Sequence, residues 1–208
     1  MTKIKICGLT REEDIAAVNE AKPDYIGFVF APGRKRTVSA LHAARLKSML
    51  SPEIKAVGVF YHNTADEVIA AAELGAIDII QLHGDEDEAF IEYVTVSLKE
   101  PLPVIKAVST KNRELLQRME DNPYVDYLLF DTFEGGAVGG TGKTFDWSTL
   151  PECSKPFFLA GGLNLSNVRQ ALSCGAYALD ISSGAEINGV KDRELIRSLV
   201  SVVKNQDK

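Results

Sequence analysis

Eight short β-rich runs alternate with helix-like stretches along the 208 residues, and this alternation constrains the fold more than any single motif. The runs are KIKICGL (3–9), DYIGFVF (24–30), IKAVGVF (54–60), IDIIQLHG (77–84), PVIKAVS (103–109), DYLLFDT (126–132), PFFLAGG (156–162) and ALDISSG (178–184). Their starts lie about 20 to 30 residues apart, which leaves room for one helix in each interval.

The intervals carry helix signals. Thr10 with Glu13 reads as a capping box before EDIAAVNEA. Ser39 opens ALHAARLKSML, and Thr64 opens ADEVIAAAELG, with Gly75 as its stop. Asp85 or Glu86 opens EDEAFIEYVTVSL, Thr110 precedes KNRELLQRMED, and Asn164 precedes LSNVRQALSCG, with Gly175 as its stop. A last helix runs from Lys191 through Val203. The sixth interval is the exception, because FDWSTL spans only about a turn and a half. Eight βα units without a composition break predict a parallel (β/α)8 barrel over residues 1–208, a single domain with a shortened sixth helix. A doubly wound open sheet would carry a glycine fingerprint after its first strand, and CGLTREED lacks G-x-G-x-x-G.

Composition narrows the partners. Hydrophobic residues make up 45% and charged residues 25%, an ordinary globular balance. A net charge of −6 argues against a nucleic-acid surface but leaves room for a small anionic ligand at a local positive site. Cys7, Cys153 and Cys174 form no disulfide framework, which predicts free thiols in a reducing compartment. MTKIKICGL has no apolar signal core, and no run approaches the ~20 apolar residues of a membrane span. A cytoplasmic soluble protein, not engaged with membranes, is expected.

In such a barrel, chemistry sits at the C-terminal ends of the strands. Side chains alternate along a strand, so Lys5 and Cys7 share one face of KIKIC and the isoleucines take the other. Lys5 and Cys7 should therefore point inward, as should Gln81 with His83, Asp131 with Leu129, and Asp180 with Ser182. Each has an ordinary explanation alone. A buried cysteine is usually a small hydrophobe, Asp131 can start a turn, His83 can be a hydrogen-bonded loop residue, and Asp180 can simply pair with Lys5. Their convergence on one mouth points to a site.

Glycines follow the last strands. LAGGLN (159–164) brings Gly161 and Gly162 to a helix start, and DISSGAE (180–186) brings Ser183 and Gly184 to a turn. Loops after strands seven and eight often bind phosphate through backbone N–H groups. GGTG (139–142), within the glycine-rich DTFEGGAVGGTGKTFDW, reads as further donors or a lid. GRKRT (33–37) reads either as a solvated basic loop or as an arginine clamp for a carboxylate.

KICGLT, QLHG, DT…GGTGKTFDW, LAGGLN and DISSGAE, in that order, resemble the phosphoribosylanthranilate isomerases of tryptophan biosynthesis over essentially the whole chain. The resemblance implies an Amadori rearrangement of a phosphorylated aminoaldose by acid–base chemistry, with no cofactor and no metal. It implies Cys7 as base and Asp131 as acid; Lys5, on the same strand face, is a candidate cation to favour the thiolate. It implies Arg36 on the anthranilate carboxylate, Gly161, Gly162, Ser183 and Gly184 at the phosphate, and His83 and Asp180 in support; Gly140, within GGTG, is a further candidate substrate contact. Gly33-Arg34 replaces a serine-containing segment common in the family, so Arg34 or Lys35 can share the carboxylate with Arg36. The glycine-rich stretch would be a mobile flap. The partner is a small anionic sugar phosphate, and the state a monomer or homodimer. Two other readings remain: another sugar-phosphate barrel enzyme (a related aminoaldose isomerase, or a lyase forming indole glycerol phosphate), with Lys106 the one hint of the latter, and a non-enzymatic phosphate-ligand sensor.

Overall fold

A computed structural model describes residues 1–131, 147 and 150–205 of the chain. Eight parallel strands close into a barrel in sequence order. They are β1 (Lys3–Cys7), β2 (Tyr25–Val29), β3 (Lys55–Phe60), β4 (Ile79–Leu82), β5 (Val104–Val108), β6 (Tyr127–Asp131), β7 (Phe157–Ala160) and β8 (Ala178–Ile181). The helices among the described residues are α1 (Glu12–Ala21), α2 (Ala40–Ser48), α3 (Ala65–Glu73), α4 (Glu88–Ser97), α5 (Arg113–Asp121), α6 (Val168–Ala171) and α7 (Arg193–Lys204). A small antiparallel pair, β9 (Glu186–Ile187) and β10 (Val190–Lys191), follows β8.

Strand alternation sorts the core into two layers. Ile4, Ile6, Ile26, Phe28, Ile80, Leu128 and Leu179 belong to the layer that also holds the buried faces of the helices. Tyr25, Val57, Ile79, Ile105, Leu129, Phe158 and Ala178 form a separate cluster inside the barrel. Burying each large apolar side chain contributes about 1.5–3 kcal/mol before conformational entropy is charged against it.

The barrel floor is polar-aromatic. Lys3 Nζ donates to the hydroxyl of Tyr177 at 2.7 Å and to that of Tyr25 at 3.3 Å. The ring of Phe158 lies above, 5.5–5.7 Å from the rings of Tyr25, Tyr127 and Tyr177.

A repeated aspartate ties neighbouring strands at their starts. Asp24, Asp78 and Asp126 stand just before β2, β4 and β6. Each carboxylate accepts one backbone N–H bond from the start of the preceding strand: Ile4 N at 3.0 Å, Ala56 N at 2.8 Å and Val104 N at 2.8 Å. A carboxylate acceptor makes these bonds stronger than neutral ones and helps set the register.

Ser39 and Thr64 cap α2 and α3 as expected, Thr64 in a full capping box with Glu67. Elsewhere the caps fall at different residues. The α1 N-cap is Arg11 rather than Thr10, and Asp14 Oδ2 accepts from the backbone N–H groups of both Thr10 and Arg11. Asp87 rather than Asp85 or Glu86 caps α4, Asn112 rather than Thr110 caps α5, and Asp192 caps α7. Asn164 does not start its helix: its Oδ1 accepts from Ser166 N and Oγ, forming a local turn. The helix after β7 then shrinks to four residues, followed by a 3₁₀ turn through Cys174. The stretch expected to hold the shortened sixth helix lies mostly outside the described residues.

Candidate active site

A cavity of about 660 Å³ opens at the C-terminal ends of the strands. Cys7, Arg36, His83, Asp131, Gly161, Gly162, Asp180 and Ser183 all line it. Gly140 lies outside the described residues. Gly184 is placed differently: a Cβ on it would stand 2.0 Å from the carbonyl oxygen of Leu163. Glycine is needed there because two loops touch, a closer approach than any other residue permits. Gly161 (φ 102°) and Gly162 (φ 66°) adopt left-handed backbone, which glycine enters without strain.

The thiol of Cys7 sits at the end of β1, opposite Gly27 of β2. A Cβ at Gly27 would lie 2.7 Å from Cys7 Sγ, so that glycine makes the space the thiol occupies. Burial pushes the Cys7 thiol above its ordinary value. Lys5, Lys191 and Arg36 pull it down, Asp180 pushes it further up, and burial prevails. Lys5 thus favours the thiolate, as expected, but does not by itself hold the group ionised.

Below the thiol, Lys5 is fully buried and its ammonium group lies 2.8 Å from Asp180 Oδ2. Burial disfavours that charge, but Asp180 and Cys7 more than offset it and hold Lys5 above the ordinary lysine value. Lys5 also donates to Gln81 Oε1 at 2.6 Å. Gln81 Nε2 in turn lies 3.1 Å from His83 Nδ1, and His83 Nε2 lies 3.4 Å from Asp131 Oδ2. Asp180 Oδ1 is buried without a hydrogen-bond partner among the described residues, an acceptor on the cavity wall.

Beside the end of β1, Arg36 Nη1 donates to Ser182 Oγ and to Glu186 Oε1, the latter at 2.9 Å. Glu186 also accepts from Lys191 Nζ. Gly8 (φ 86°) lets the arginine through, since a Cβ there would stand 2.8 Å from Arg36 Cδ. Arg34 also lines the cavity, with its guanidinium 5.1 Å from the centre of the Tyr61 ring. Lys106 takes no part in this constellation. Its ammonium group is buried on Glu86 Oε2 at 2.9 Å and on Gly84 O at 2.5 Å, which closes the turn after β4.

Sequence reasoning passed over Gly8, Gly27 and Glu186, and gave Gln81 and Ser182 no role. For Gly27 a signal was present, because a glycine inside a strand often marks a close approach. Glu186 had none, since its contact with Arg36 joins residues 150 positions apart.

Among the described residues no helix is long and apolar enough to cross a membrane, and no group of three His, Cys, Asp or Glu side chains is placed to hold a metal ion.

The chain is similar to known proteins over nearly its whole length. The family model described as PRAI, N-(5'phosphoribosyl)anthranilate (PRA) isomerase, matches residues 4–202. The N-(5'-phosphoribosyl)anthranilate isomerase of Endomicrobium trichonymphae is 45% identical over 206 residues, covering 99% of this chain and 100% of that protein. The crystal structure of phosphoribosyl anthranilate isomerase from Thermus thermophilus superposes with a TM-score of 0.81 at 32% identity, covering 98% of each chain. A phosphoribosyl anthranilate isomerase in complex with reduced 1-(o-carboxyphenylamino)-1-deoxyribulose 5-phosphate gives 0.79 at 30% identity, covering 98% of this chain and 99% of that one.

Proposed function

The chain belongs to the N-(5'-phosphoribosyl)anthranilate isomerase family, and from that premise we propose how its own residues carry the reaction. The reaction is the Amadori rearrangement of N-(5-phosphoribosyl)anthranilate to 1-(2-carboxyphenylamino)-1-deoxyribulose 5-phosphate in tryptophan biosynthesis.

Asp131 is the acid. It protonates the furanose ring oxygen, the bond from that oxygen to C1′ breaks, and the anilino nitrogen lone pair completes a C1′=N iminium. Cys7 is the base. Its thiolate removes the proton from C2′, and the freed electron pair forms a C1′–C2′ double bond and neutralises the iminium. The resulting enolamine tautomerises to the ketone at C2′. The observation that carries this assignment is the placement of Cys7 from β1 and Asp131 from β6 on the wall of one cavity. Acid and base must flank a single sugar for the two steps to follow one another.

The remaining residues hold the two anionic ends. The phosphate lies against the backbone of Gly161, Gly162 and Ser183, with Gly184 keeping the two loops in contact. The anthranilate carboxylate lies toward Arg36, whose Nη1 is already anchored by Ser182 and Glu186, so the guanidinium is oriented before substrate arrives. Arg34 supplies a second positive group on the same wall.

The activity is tested by generating phosphoribosylanthranilate in situ, adding the purified chain and following the loss of substrate fluorescence. Fluorescence is expected to fall in proportion to the amount of chain added. A trace no faster than the spontaneous decay of the substrate would sink the assignment. The space at Gly27 gives a second expectation. Gly27→Ala should lower kcat by about tenfold to a hundredfold, because a small displacement of a reacting group is that costly. Overpacking should cost about 1–3 kcal/mol of stability, which a thermal melt reads separately. Unchanged kcat in a folded Gly27→Ala protein would show that the position of the thiol is not limiting.

A further inference from the structure

Gln81 has no place in the acid–base scheme, yet it lies between the buried ion pair and the histidine that touches Asp131. Its amide orientation follows from chemistry alone. A lysine ammonium only donates, so the Gln81 atom 2.6 Å from Lys5 Nζ must be the carbonyl oxygen. The flipped amide would set an NH₂ group against an ammonium at a fully buried position, donor against donor. Gln81 Nε2 therefore faces His83 Nδ1, at 3.1 Å. An amide NH₂ only donates as well, so Nδ1 must accept and carries no proton. The proton of the neutral ring then sits on Nε2, the nitrogen 3.4 Å from Asp131 Oδ2.

We propose that Gln81, locked by Lys5, holds His83 as the Nε2–H tautomer and aims that N–H at Asp131, 3.4 Å away, as a donor rather than a proton carrier. A second proton on His83 would place Nδ1–H against the amide NH₂ and break the link to Lys5. Loss of the Nε2 proton would leave an imidazolate. The 3.4 Å contact tightens into a hydrogen bond as the carboxyl group gives up its proton and becomes a carboxylate, because hydrogen bonds to ionised acceptors are shorter and stronger. The gain falls on the step in which the ring opens. Gln81 and His83 are positioning residues in this scheme, and Lys5 with Asp180 is the anchor that fixes them from the far side of the barrel. The inference rests on Asp131 being the acid.

The test uses the full chain labelled with ¹⁵N. Ring-nitrogen spectra at neutral pH should show His83 with an unprotonated Nδ1 and a protonated Nε2. The resonances are assigned by their absence from His83→Asn, and the other two ring systems, His42 and His62, serve as internal references. Gln81→Glu keeps the shape and a contact for Lys5 but presents an acceptor to Nδ1. It should move a proton onto Nδ1 and lower kcat by about tenfold or more, with KM changed much less. Gln81→Leu should lower kcat similarly, and if it fails to fold, Gln81→Glu alone decides. A protonated Nδ1 in the parent chain would overturn the proposal. So would a Gln81→Glu protein with an unshifted His83 spectrum, or one with full kcat. Failure of the acid assignment shows elsewhere, as full activity in Asp131→Asn with the His83 tautomer intact.

Discussion

Cys7→Ala should reduce kcat by at least about a hundredfold while KM stays within a few-fold of the parent value, the signature of a lost base rather than a lost binding contact. The thiol holds neither anionic end of the substrate, so its removal should spare affinity. The space it leaves lies beside Gly27 and is small, so the fold should survive. The pH dependence follows from the environment of the thiol. Burial outweighs the nearby cations and leaves the group above its ordinary value, so the neutral thiol predominates near neutrality. Only the thiolate can take the C2′ proton. Below the pKa the thiolate fraction grows about tenfold for each pH unit gained, so kcat/KM of the parent chain should climb with pH for as long as Asp131 keeps the proton that the ring-opening step needs. That climb should be missing from the residual activity of Cys7→Ala. Cys7→Ser should not restore it, because a hydroxyl ionises far less readily than a thiol. Turnover of Cys7→Ala within tenfold of the parent would remove Cys7 as base.

Asp131→Asn is the companion experiment, with a drop of about a hundredfold to ten-thousandfold expected in kcat. The amide has nearly the shape of the acid and can still accept from His83 Nε2, so the site should keep its geometry. What it lacks is a proton acidic enough to give to the ring oxygen. Substrate should therefore bind nearly as before but remain closed. Rapid mixing with saturating substrate separates the two: binding seen as a fluorescence change on mixing, followed by very slow loss of signal. If Asp131→Asn turns over at more than about a tenth of the parent rate, protonation comes from another group and the scheme fails at its first step.

Much of this architecture is legible in the chain, for a reason visible in particular strands. In KIKIC the alternation puts isoleucine on one face and Lys5 with Cys7 on the other, and the barrel uses both faces as that pattern requires. The same logic placed His83, Asp131 and Asp180 at the mouth, because a polar group on an inward face at a strand end has few other places to go. Capping residues were harder. Thr10, Asp85 and Thr110 each have a competing neighbour one or two residues on, and Arg11 (with its N–H on Asp14), Asp87 and Asn112 took the cap positions through bonds that local pattern does not rank. The links across the barrel were out of reach. Gln81 is visibly polar and inward, but its role depends on meeting Lys5 from a strand 76 residues away. The aspartates before β2, β4 and β6 look like turn residues until their partners on the preceding strands are seen. The flap expected at 132–146 lies outside the described residues, so its reading stays with the sequence.

The carbonyl of Leu163 presses so closely on Gly184 that the segments leaving β7 and β8 are effectively one piece of masonry. A segment transplanted onto β8 from another barrel would bring a side chain into that carbonyl unless its neighbour travelled with it. Substrate range at this rim should therefore change in pairs of staves, by breeding or by engineering, and single-segment grafts there should yield misfolded rims rather than new specificities.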